Sequence, residues 1–266
     1  MSRLVMARVA REHRLVGVVV PPPRGSFLGR IRRVLKGART PLAGLGAPII
    51  EARALASIRP DIIVVASFPQ ILSASILEGA RIGALNVHMS LLPRHRGIDP
   101  IFWTYWGDDR DAGVTIHWMD KRVDAGGLAD QESVPLERGL ASRELYMRLS
   151  SRGAELVAGV LAKVASGNAQ NIPQDESRAS HETAADIASA CVPIARWPAE
   201  RVWHVLSGLG DQRSSLLVDA SGARLPHGRA TGYRIAGGVE PGRIVRLDAG
   251  YEVHCLDGTV RVERRA

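Results

Sequence analysis

Cysteine is scarce: Cys191 and Cys255 are the only two in 266 residues. That excludes a disulfide framework and a closely spaced thiolate metal site, and it suits a reducing compartment, so a cytoplasmic protein without a resident metal is expected. Long hydrophobic runs are missing as well. The best of them, such as Ile62 to Ala66, fall far short of the roughly twenty residues that span a bilayer. With no charged-then-apolar segment at the start, a soluble chain without membrane contact is expected. Aromatics make up 5% of the chain. A glycine-rich phosphate loop is lacking too: Pro23-Arg24-Gly25-Ser26-Phe27-Leu28-Gly29 does not follow G-x-G-x-x-G, which argues against a dinucleotide-binding turn. Acidic residues are nearly absent from the first fifty positions, where ten Lys or Arg face Glu12 alone. That region carries +9 of a net +8, and the rest sums to −1. A basic cluster at one end attracts phosphate, on tRNA or a nucleotide, or else forms a solvated Arg-rich surface.

What is present reads as two kinds of segment. Leu15 to Val20, Ile62 to Ala66, Ala84 to His88 and Val114 to Met119 are short apolar, β-rich runs of the kind buried in a parallel sheet. Helical spacing separates them, at Met1 to His13, at Phe27 to Lys36 with Gly37 as its stop, and at Ser142 to Ser166 before Gly167. Alternation of this sort predicts an open, mostly parallel α/β sheet whose site lies at the carboxyl ends of strands. From Asn168 to Pro198 the pattern weakens around Pro173-Gln174-Asp175-Glu176-Ser177. The expected division is therefore a domain over 1–167, a connection over 168–198 and a second domain over 199–266. After a helical segment at Arg201 to Leu206, short alternating pieces are broken by turns, among them Asp257-Gly258 between Tyr251 to Leu256 and Thr259 to Glu263. Strands at that spacing predict a small all-β barrel.

The chemistry concentrates in Leu85-Asn86-Val87-His88-Met89-Ser90-Leu91-Leu92-Pro93 and in Val123-Asp124-Ala125-Gly126, with Asp124 thirty-six positions after His88. Asn86 and His88 alternate along an extended run, so their side chains leave the same face. An amide donor suits a developing oxyanion, an imidazole of near-neutral pKa carries a proton, and a carboxylate can fix the ring's tautomer, favour its cation or accept a proton. Taken singly, each of the three is an ordinary turn or capping residue. His117 follows the strand alternation and reads as structural, and Trp103, Trp106 and Trp118 read as core.

The set L-N-V-H-x-S-L-L-P-R-x-R-G, then G-V-T-I-H-x-M-D and V-D-A-G, resembles the folate-dependent formyltransferases, a family that includes methionyl-tRNA formyltransferase and enzymes that formylate amino sugars. The likeness is dense from Asp61 to Val134 and thinner on both sides. It implies that Asn86, His88 and Asp124 are a catalytic trio. The cosubstrate it implies is 10-formyltetrahydrofolate, bound around Phe68, Gln70, Leu72, Ser90, Leu91, Leu92, Pro93, Asp120 and Val123. It also implies an OB-like C-terminal barrel and a primary-amine acceptor. A small amine or sugar nucleotide is favoured slightly over initiator tRNA, because Pro21 to Pro48 is patterned unlike the tRNA enzymes. A catalytically impaired binding homologue and a formyl-donor hydrolase are the alternatives. Family members usually open with a strand before the Met1 to His13 helix, so a sheet short of one interior strand is expected, from a shortened start or an adapted fold.

Overall fold

The computed structural model describes residues 1–21 and 46–265. The expected Phe27 to Lys36 helix with its Gly37 stop, and the basic residues Arg24, Arg30, Arg32, Arg33, Lys36 and Arg39, lie outside the described residues. The chain forms two compact units: one from Met1–Arg96, Gly113–Ser133 and Met147–Ser180, the other from Gly97–Ala112, Val134–Tyr146 and His181–Ala266. The expected connection is thus shared between them: residues 168–180 belong to the first unit and 181–198 to the second. No helix among the described residues is long and apolar enough to cross a membrane.

In the first unit, helix α1 is Ser2–Val9, strand β1 is Val18–Val19, and β2 is Ile49–Ile50. A four-stranded sheet follows, in the order β3 (Ile62–Ala66), β4 (Gly83–His88), β5 (Asp111–Trp118) and β6 (Leu128–Pro135). The pairs β1 with β2 and β3 with β4 are parallel, whereas β4 meets β5 antiparallel. One face of the sheet buries Leu85, Val87, Val114 and Ile116 against Ala154, Val157, Val160 and Leu161 of helix α2 (Ser142–Ala165) and Val5 and Val9 of α1. Each Val, Leu or Ile side chain among them contributes roughly 1.5–3 kcal/mol when removed from water. Gly153 lets the helix approach, since a Cβ there would stand 2.9 Å from Val87 Cγ1 and 3.0 Å from Val114 Cγ2. Gly167, at φ 74°, takes the left-handed conformation expected of a helix stop. The opposite face packs Ile63 and Ala84 with Leu55. The β1–β2 ladder is separate from the larger sheet, and a cavity of about 950 Å³ is lined by Val16 to Val20, by Ile62 to Ala66 and by α1.

The second unit is built on helix α3 (Ala199–Leu209) and an antiparallel sheet ordered β7 (His227–Ile235), β10 (Gly258–Arg264), β9 (Gly250–His254), β8 (Ile244–Leu247). Val202, Val205 and Leu206 are fully buried, as an amphipathic helix on a sheet requires. The ladders do not close into a ring among the described residues, so the expected barrel stands here as an open antiparallel sheet. The hairpin tip falls one residue earlier than expected, on Leu256 and Asp257, because Cys255 N–H donates to Gly258 O. Gly258 serves close strand packing: a Cβ would sit 2.0 Å from Arg234 O. Asp257 is committed elsewhere, its carboxylate accepting at 2.7 Å from the N–H of Ala199, one of the donors that the first turn of α3 leaves without a partner inside the helix.

Candidate active site

Strand alternation builds the site. Because Leu85 and Val87 face the core, Asn86 and His88 must face the other way, and the antiparallel register sets Asn86 beside His117 and His88 beside Thr115. Asp124 joins them from the turn after β5. Its φ of 50° is a left-handed conformation that Asp tolerates better than most residues. That turn is tight, since a Cβ on Gly126 would lie 1.9 Å from Trp118 O.

Hydrogen-bond logic fixes the protons. His88 Nε2 lies 2.8 Å from the carbonyl of His95, which can only accept, so Nε2 carries the hydrogen. His88 Nδ1 is then a lone pair facing Asp124 Oδ2 at 3.6 Å. Here the backbone of His95, and not Asp124 as the sequence suggested, sets the tautomer. By the same argument His117 donates from Nδ1 to Trp118 O at 2.9 Å, leaving Nε2 as an acceptor 3.4 Å from Asp124 Oδ1. Asn86 Nδ2 bridges the two, 3.2 Å from His117 Nε2 and 3.2 Å from Asp124 Oδ1. Two imidazole lone pairs therefore crowd one carboxylate, an arrangement that a further proton would relieve. Burial holds the His88 pKa below its ordinary value, with Asp124 and the His95 carbonyl opposing. The ring is neutral at pH 7 and able to act as a base.

Around this cluster, Ser90 and Leu92 are buried at 1% and 2% exposure, and Pro93 is buried too. Ser90 Oγ donates to Arg94 O, and Leu92 N–H donates to Thr115 Oγ1. These three support the loop from within. Leu91 is half-buried, while Gln70, Asp120 and Val123 are exposed. Phe68 and Leu72 line the 950 Å³ cavity, which Asn86, His88 and Asp124 do not. Sequence reasoning missed His117, whose place in the strand alternation looked structural. The signal available was its two-residue offset from Thr115 on the face opposite the apolar Val114 and Ile116.

The sequence matches the formyl transferase family model over residues 50–161. It is 30% identical to the methionyl-tRNA formyltransferase of Latilactobacillus sakei over 271 residues, covering 97% of this chain and 83% of that protein. The chain belongs to the formyl transferase family. This family member is also 35% identical, over 178 residues, to the methionyl-tRNA formyltransferase of Synechococcus sp. strain JA-3-3Ab, which is 63% of this chain and 55% of the relative. For that of Lactiplantibacillus plantarum the identity is 37% over 48% of this chain and 40% of the relative, so the chain spans about half the length of these two. Among solved structures, the N-formyltransferase from Helicobacter canadensis with folinic acid and dTDP-3-aminofucose matches with a TM-score of 0.75 at 15% identity, covering 100% of this chain and 96% of that one. A sugar 3N-formyl transferase with dTDP and 5-N-formyl-THF matches with a TM-score of 0.70 at 14% identity, covering 98% and 93%. At these identities the likeness is one of fold.

Proposed function

We propose that this protein transfers a formyl group from 10-formyltetrahydrofolate to a primary amine, with Asn86, His88 and Asp124 at the reacting centre. The observation that carries the reading is the carboxylate faced by two imidazole lone pairs and an amide. Attack of an amine on the formyl carbon produces an oxyanion and an acidic ammonium. The His88–Asp124 pair has the capacity to take the ammonium proton and to return it to the folate nitrogen as the oxyanion collapses and the bond from the formyl carbon to that nitrogen breaks. Asn86 can turn one N–H from Asp124 to the oxyanion, a donor worth about a hundred- to a thousandfold in comparable sites. Exposed Gln70, Asp120 and Val123, with Phe68, Leu72 and Leu91, are the surface we assign to the pterin.

Two acceptors have support. The 30% identity to a methionyl-tRNA formyltransferase across nearly the whole chain favours initiator methionyl-tRNA, with the open C-terminal sheet as an OB-like surface for it. The differently patterned Pro21 to Pro48 segment favours a small amine or a sugar nucleotide. Cytoplasmic location follows from either. The test is tetrahydrofolate release by the purified chain with no amine, with a panel of sugar-nucleotide amines, and with charged initiator tRNA. Release that depends on an amine supports the reading and names the acceptor class. Release without amine indicates a hydrolase, and no folate binding at all indicates a non-catalytic homologue. If the acceptor is tRNA, affinity must fall steeply with salt as phosphate counterions are released.

A further inference from the structure

The segment after α2, which the sequence presents only as a connection, is bonded into the site. Gln174 is 9% exposed, and its Nε2 donates to Asp124 O at 2.9 Å and Gly126 O at 2.7 Å. Its Oε1 accepts from Arg96 Nε at 3.1 Å and from Arg96 Nη2 at 2.8 Å. All four hydrogen-bonding positions of the amide are used, and the orientation is fixed, because a flipped amide would set its oxygen against two carbonyls and its NH2 against a guanidinium. Arg96, 1% exposed, is anchored in turn on Glu176 through Nη1 to Oε2 at 2.8 Å and Nη2 to Oε1 at 3.2 Å.

Further along the same segment, Ser180 ties down the loop that carries His95. Ser180 Oγ accepts from His95 N–H at 2.8 Å, its carbonyl accepts from Arg96 N–H, and its own N–H donates to Pro93 O. One segment, 174–180, thus holds both the carbonyl that sets the His88 tautomer and the left-handed turn that presents Asp124.

We infer that Gln174 is a positioning residue: through its bonds to the carbonyls of Asp124 and Gly126 it holds the left-handed turn, and with it the Asp124 carboxylate, in register with Asn86, His88 and His117. The inference rests on the formyl-transfer reading above. Gln174→Glu is the discriminating variant. It keeps the size and the Arg96 partner but converts two donors into an acceptor facing two carbonyls. Glu176→Gln, at a half-exposed side chain, leaves Gln174 in place, weakens the anchor of Arg96 together with the contact to Arg122, and guards against a Gln174 variant that fails to fold.

Two readouts on the full chain decide it. In formyl transfer, Gln174→Glu should lose about a hundredfold in kcat with the KM for the folate donor nearly unchanged, the scale expected when reacting groups shift by about 1 Å; Glu176→Gln should lose less. By histidine ring NMR without substrate, the His88 titration midpoint should move lower in Gln174→Glu, because Asp124 opposes the burial of that ring and its displacement removes the opposition. An unmoved midpoint together with kcat near wild type in both variants would overturn the assignment. If the wild-type chain transfers no formyl group, the functional reading fails, and the NMR titration alone still decides whether Gln174 positions Asp124.

Discussion

At the scale of single residues, the site's chemistry turns on where its protons sit. His88→Ala and Asn86→Ala should each cost about a hundredfold or more in kcat/KM, the size seen for a lost oxyanion donor or general base. Circular dichroism should show both variants folded, and turnover within about threefold of wild type for either would remove its role. The pH profile is a second check. Burial lowers the His88 pKa from 6.5, so the neutral base predominates at pH 7, and kcat/KM corrected for the acceptor amine's own titration should fall on the acid side with a midpoint below 6.5. An acid limb still centred above 6.5 after that correction would contradict a buried neutral ring.

Secondary-structure elements offer a sharper contest between propensity and packing. Gly153 and Gly159 both lie inside α2, where Ala is favoured over Gly by about 1 kcal/mol. A Cβ at Gly159 meets nothing within 4 Å, whereas at Gly153 it presses on Val87 and Val114. Gly159→Ala should therefore stabilise the chain. Gly153→Ala should destabilise it, since overpacking costs about 1–3 kcal/mol and exceeds the propensity gain. Urea unfolding of the two variants checks the pair, and equal shifts of the same sign would refute the packing argument. This is also the scale at which the sequence was most legible. Ile62 to Ala66, Ala84 to His88, Val114 to Met119 and Ser142 to Ser166 stand within a few residues of the observed elements, because their apolar periods match one buried face. Asn86 and His88 followed from alternation and Asp124 from its motif. The bonds of Gln174 and Arg96 did not, since they join residues 78 positions apart and no local pattern records such a pair. The hairpin tip was misplaced because Asp-Gly signals a turn, while Asp257 bonds the start of α3 and Gly258 yields to a neighbouring strand.

For the whole molecule, acid stability has a definite sign. His204 is fully buried, accepts from Gly139 N–H at 2.9 Å, and burial lowers its pKa from 6.5 to about 4. Below pH 6.5 the unfolded chain takes up a proton that the folded chain refuses until about pH 4. Stability is therefore full above 6.5 and falls across that window by about 3 kcal/mol from this group. His204→Gln should flatten the fall in a denaturant series from about pH 7 to about pH 4, and an unchanged slope would place the acid sensitivity elsewhere. The central claim concerns what the folded chain does with a formyl group. It is tested most directly by incubating the intact chain and Asn86→Ala with isotopically labelled 10-formyltetrahydrofolate and the acceptor panel, then weighing the amines by mass spectrometry. The account predicts an N-formylated amine with the wild-type chain and about a hundredfold less with Asn86→Ala. Labelled product formed equally by both, or by neither, would contradict it.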